Sequence, residues 1–145
     1  MNCGSGSTDW DCVPLVADRE EIRVAGEPEP ISHYTDAVRV GDLVFVSGCV
    51  PVDAEGRLVG GDDVVAQARQ VVRNIQAVLA AAGATFADIA KVTVYLTSVD
   101  DRQKINPVRQ EFFGKARPAS TLVEIRRLAV QGARVEVEVV AVVRT

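Results

Sequence analysis

Few side chains in this 145-residue sequence are suited to acid, base or nucleophilic chemistry, and they are scattered along it. His33 is the only histidine. Beside a cleft, a neutral imidazole would act as general acid or base near neutral pH; the competing reading is a solvent-facing loop residue. Cys49 follows Gly48, and its thiol would be a nucleophile only with a base beside it. No such base is identifiable, so a buried, inert cysteine competes with that reading. Cys3, Cys12 and Cys49 make an odd set without the paired spacing of a zinc site, which predicts free thiols, no disulfide framework and no metal. Read from the residues alone, Glu136 and Glu138 pair across strands with Arg126 or Arg134 on a solvated face. Ser47 satisfies a turn at a strand end, and Asn106 caps a helix.

The elements that must position these groups follow from patterning. Residues 1–20 begin Gly-, Ser- and Asp-rich and read as a flexible extension, with Trp10 as a possible anchor; residues 21–145 form one domain. Residues 21–25 alternate as a short strand, and a hairpin over 37–47 turns at Gly41-Asp42. Between an Asp62/Asp63 start and a Gly83 stop, Val64, Ala68, Val71, Val72, Ile75, Val78 and Leu79 recur at steps of three and four. That spacing predicts an amphipathic helix burying one face. Residues 90–98 are β-branched and aromatic, hence a strand. A second helix is expected from residue 99 to Gly114, beginning near Asn106 or kinking there because Pro107 lacks a backbone donor. Residues 117–128 and 134–144 complete the chain as strands. Three strands, helix, strand, helix and two strands predict an α+β sheet with two helices packed on one face. The last strand starts with alternation and ends in a continuous apolar run, so its second face requires cover that a two-layer domain lacks.

Length and charge bound the function. A chain of 145 residues accommodates one domain and buries about 70% of its unfolded surface. A net charge of −4 argues against a general nucleic-acid binder, which needs clustered cations to displace counterions. No apolar run reaches the roughly 18 residues of a membrane span, and no basic-then-apolar leader opens the chain, so a cytoplasmic protein without membrane contact is expected.

Several segments, in order and at matching spacing, resemble the reactive-intermediate deaminase family (RidA, also called YjgF) over about Ile31 to Val143. They include Ile31-Ser32-His33-Tyr34, Val40-Gly41-Asp42-Leu43-Val44-Phe45-Val46-Ser47-Gly48 with Pro51, and Gln67, Asn74, Ala82-Gly83 and Asp88-Ile89. Lys91-Val92-Thr93-Val94-Tyr95-Leu96, Asn106, Phe112-Phe113 and Pro118-Ala119-Ser120-Thr121-Leu122-Val123-Glu124 continue the match. The resemblance implies a chorismate-mutase-like (YjgF-like) mixed sheet and a homotrimer with clefts between subunits. It also implies cofactor-independent hydrolysis of an imine or enamine of a small metabolite. Carried over by position, Glu136 would hold the attacking water, Ser120 would stand at the substrate-gripping position, and Tyr34, Ser47, Asn106 and Leu122 would line the cleft.

One departure bears directly on substrate. Where family members carry an arginine that grips a carboxylate, this chain has Ser120, and the small residue two places on, often cysteine, is Leu122. Losing one partner of a buried charge pair costs about 2–5 kcal/mol, whereas a hydroxyl on a charged group recovers about 1.5–3 kcal/mol at best. A 2-imino acid is therefore not the expected best substrate. Related water addition or tautomerisation, a role in a specialised biosynthetic pathway, or a non-catalytic metabolite-binding or chaperone-like trimer are the alternatives. Alternation places Arg126 on Ser120's face but about 20 Å along the strand. Arg109, one helical turn past Asn106, is the rescue candidate, against the reading of an exposed helix arginine.

Overall fold

The computed structural model describes residues 19–144. Most of the extension expected over residues 1–20, with Cys3, Trp10 and Cys12, lies outside the described residues; Arg19 and Glu20 open the first strand. Six strands, β1 (Arg19–Ile22), β2 (Ala37–Val40), β3 (Leu43–Cys49), β4 (Ile89–Leu96), β5 (Ala119–Glu124) and β6 (Val135–Val142), form one sheet in the order β1-β2-β3-β6-β4-β5. β4 and β5 are parallel and every other pair is antiparallel, so the sheet is mixed. Two helices, α1 (Val64–Ala81) and α2 (Arg102–Phe113), supply the crossovers into β4 and β5. The α+β arrangement read from the sequence is the one observed.

The core lies between the helices and one sheet face. Val44 and Val46 of β3, Val92, Val94 and Leu96 of β4, and Val135, Val137, Val139 and Ala141 of β6 are buried there. They meet Val64, Ala68, Val71, Val72, Ile75, Val78 and Leu79 of α1, the set its spacing predicts. Asp63 caps α1, its carboxylate accepting from Val65 N at 2.9 Å and Ala66 N at 3.2 Å, and Gly83 ends the run with φ of 76°.

Three sequence expectations shift. α2 is one helix from Arg102, entered through a 3-10 turn at Val99–Asp101, and Pro107 sits inside it without ending it. Residues 103, 106 and 107 are exposed, so water can satisfy the carbonyl that Pro107 leaves without a donor. β5 stops at Glu124, not 128, and the connection that follows is fastened at its far end, where the fully buried Gln67 amide donates to the Gly61 and Gly132 carbonyls at 2.6 and 3.0 Å and accepts from Arg134 N at 2.7 Å. Arg126 therefore lies beyond the strand. β6 alternates throughout, with Glu136, Glu138, Val140 and Val142 half-buried on the face away from the helices. Register sets Val142 opposite Leu43 and Val140 opposite Phe45, giving that open face an apolar half.

Candidate active site

The sequence-predicted site residues fall into two clusters. The first gathers where β3 leaves the sheet. A groove there is lined by Tyr34, Asp36, Ser47, Gly48 and Cys49, with Asn74 from α1. Asn74 holds the chain after β3 in place, its amide donating to the carbonyls of Val50 and Val52 at 2.9 Å each. Ser47 donates from Oγ to the Thr35 carbonyl at 2.6 Å, and Asp36 accepts from Val24 N at 2.8 Å and the Arg23 guanidinium at 2.6 Å. These contacts tie the loop that carries Tyr34 to β1 and β3. Tyr34 itself is half exposed at the rim, and His33 beside it is exposed.

Glu136 joins this cluster through Gly48. Its carboxylate occupies the space that a Cβ on residue 48 would require. A glycine inside a strand marks such a close approach, a signal that the reading of Ser47 as a turn residue passes over. Glu136 is half-buried, and burial together with the neighbouring Glu138 pushes its carboxyl above the usual carboxylate range. Glu138 accepts from the Tyr95 hydroxyl at 2.9 Å. Neither glutamate pairs with Arg126 or Arg134: Arg134 binds Asp101 at 2.7 Å and the Asp62 carbonyl, on the helix side.

Cys49 is not a nucleophile at neutral pH. Burial, reinforced by Asp36, Glu136 and Glu27, pushes its thiol up to about 12, so the thiolate is essentially absent.

The second cluster lies at the opposite edge. Ser120 and Leu122 on β5 pair with Val92 and Val94 and share their helix-facing side, and Leu122 packs on the core. Asn106 is exposed on α2. Arg109, one turn on, donates from Nη2 to Ser120 Oγ at 2.8 Å. A guanidinium thus stands against the serine after all, delivered by the helix instead of the strand.

Within one chain the two clusters do not meet. β6 and β4 separate β3 from β5, about 14 Å across three strand spacings. Glu136 and Ser120, moreover, lie on opposite faces of the sheet. Among the described residues, no group of three or more histidine, cysteine or acidic side chains could hold a metal ion, and no helix is long and apolar enough to cross a membrane.

Comparison with known proteins agrees with the fold. Residues 24–143 match the family model described as Endoribonuclease L-PSP. The chain is 41% identical over 124 residues to a RutC family protein of Pyrococcus abyssi, covering 85% of this chain and 96% of that one. It is 37% identical over 125 residues to a 2-iminobutanoate/2-iminopropanoate deaminase of Capra hircus, covering 86% and 90%. A solved structure of the Rid-family protein YyfA from Yersinia pestis superimposes with a TM-score of 0.81 at 34% identity, covering 86% of this chain and 99% of that one. With fold, motifs and near-complete coverage in accord, this chain belongs to the RidA/YjgF family.

Proposed function

We propose that the protein hydrolyses the C=N bond of a small imine, or of the enamine in equilibrium with it, at a cleft shared between copies of the chain. The observation that carries this reading is Glu136: a half-buried carboxylate with a raised pKa, seated on Gly48 beside a groove lined by Tyr34 and Ser47. A carboxylate whose pKa is tuned upward is a better base towards water. In the proposed reaction Glu136 takes a proton from water as its oxygen bonds to the imine carbon and the C=N electron pair passes to nitrogen. The resulting carbinolamine expels ammonia once nitrogen is protonated, and the hydroxyl proton is lost as the C=O bond forms. Imine plus water gives carbonyl compound plus ammonia. Deaminases among its relatives favour the same reading.

The split between the clusters supports sharing between subunits, because Asn106, Ser120 and Leu122 reach a ligand beside Glu136 only if a second copy brings its β5 edge to the first copy's groove. The apolar half of the open face, Leu43, Phe45, Val140 and Val142, is the surface that such an assembly, a homotrimer in our reading, would cover. The test is ammonia release from enzymatically generated 2-iminobutanoate by the wild type and Glu136→Ala. Release above the spontaneous rate that Glu136→Ala removes is expected; no release by the wild type from this imine or from an imine without a carboxylate would leave a ligand-binding protein without turnover.

A further inference from the structure

Arg109 is the feature of the second cluster that the proposed reaction leaves unused. Its side chain is half-buried, and its stem lines a small apolar cavity with Phe113, Val92 and Val94 between α2 and the sheet. Burial of a cation without an ion pair is costly, and here it lowers the guanidinium pKa. Among the described residues no carboxylate lies within ion-pair distance of Arg109, although the nearby helix residue Glu111 pairs with Arg69 and Lys104 pairs with Asp101. Its head group meets Ser120 Oγ at 2.8 Å.

That contact is directional. Arg109 donates to Ser120 Oγ, so the serine oxygen is an acceptor and its own proton is left to donate elsewhere. The guanidinium retains further N–H donors. Asn106 lies one helical turn earlier on the same side of α2, and both it and Ser120 are exposed. Arginine, serine and asparagine together offer donors and a positive charge at an accessible edge, and no carboxylate among the described residues pairs with the arginine. A planar carboxylate matches such a fork, accepting from nitrogen and hydroxyl together.

We propose that Arg109, braced by Ser120, is the ligand-anchoring cation of this protein and that the ligand it selects carries a carboxylate. The inference rests on the proposed cleft for the identity of the reacting end, but the anchoring itself is a property of α2 and β5. It reverses the expectation drawn from Ser120 alone: the serine is the second donor of a clamp whose charge comes from the helix.

The test uses 2-oxobutanoate, a stable carboxylate of the hydrolysis-product class, with 2-butanone as the uncharged control, titrated calorimetrically into the full chain. Wild type is expected to bind 2-oxobutanoate more tightly than 2-butanone. Arg109→Met should weaken the carboxylate by roughly ten- to hundredfold and leave 2-butanone unchanged, and Ser120→Ala should weaken it by a smaller factor. Arg109→Lys, which keeps the charge and loses the fork, should fall between and serves if the methionine variant fails to fold. Equal carboxylate affinity in wild type and either Arg109 variant, or no preference for the carboxylate in wild type, overturns the proposal. Ammonia release measured on the same proteins separates the two readings. Hydrolysis with KM unchanged in Arg109→Met removes the anchor and leaves the reaction, whereas Arg109-dependent binding without hydrolysis removes the reaction and leaves the anchor.

Discussion

The carboxylate of Glu136 sits where a side chain on Gly48 would have to go, so the two positions on neighbouring strands are sterically exclusive. Gly48→Ala is therefore expected to displace the end of a flexible glutamate and not the backbone. Turnover should fall by about a hundredfold, the order of loss for a catalytic group misplaced by an ångström. The thermal midpoint should change little. Steady-state ammonia release and thermal unfolding of Gly48→Ala check both; full activity would mean that Glu136 does not act from this position.

Glu136 also links activity to stability. Its folded-state pKa is raised above the ordinary value of 4.5, so between that value and the raised one the native state holds more protons than the unfolded chain. Stability from this group falls as pH rises through that window. Glu136→Gln removes both the desolvated charge and the repulsion from Glu138. The variant should lose turnover yet melt higher than wild type at pH 7, the difference closing below pH 4.5. Melting curves across pH for the two proteins measure it.

Cys49 should resist alkylation at pH 7.5 and react only on unfolding, because its thiol is pushed up to about 12 by burial and by Asp36, Glu136 and Glu27. Peptide mapping after iodoacetamide treatment, with and without denaturant, separates it from Cys3 and Cys12. Cys49→Ala should retain most of the wild-type turnover.

The open face provides a test of assembly. Phe45 is 45% exposed and lies opposite Val140. Phe45→Asp would place a charge in the surface that the proposed trimer covers, and the mass from light scattering should fall to that of one chain, with turnover lost alongside. Mixing Glu136→Gln subunits with Arg109→Met subunits by co-expression should give more activity at low substrate than either variant alone, since some clefts would then receive an intact half from each.

Much of this is legible in the amino-acid sequence. The α1 core set, the hairpin at Gly41-Asp42 and the strand-helix order follow from periodicity and turn chemistry, which are local. What escaped was set by distant partners. Gln67 falls on the buried side of α1, but nothing in its neighbourhood reveals that its amide holds the backbone at Gly132 and Arg134, at the far end of the connection after β5. Gln67→Ala should cost about 2–3 kcal/mol for that reason, by denaturant unfolding. Alternation placed Ser120 on the face of Leu122 correctly, yet the separation of Ser120 from Glu136 required the order β6-β4-β5, which only long-range pairing fixes. Arg109 was visible as a helix residue near Asn106. Its landing on Ser120 depends on how α2 docks against β5, and strand or helix periodicity alone does not encode that.

The separation of the two clusters across the sheet has a genetic corollary. Under the proposed reaction each chain encodes two halves of different clefts, neither of which can work alone. A newly synthesised protomer would be inert until it found its fellows, and activity would fall more steeply than protein concentration on dilution. An allele defective at Glu136 and another defective at Arg109 could complement each other in one cell, while a chain altered at Phe45 would be neutral to its neighbours because it never joins them.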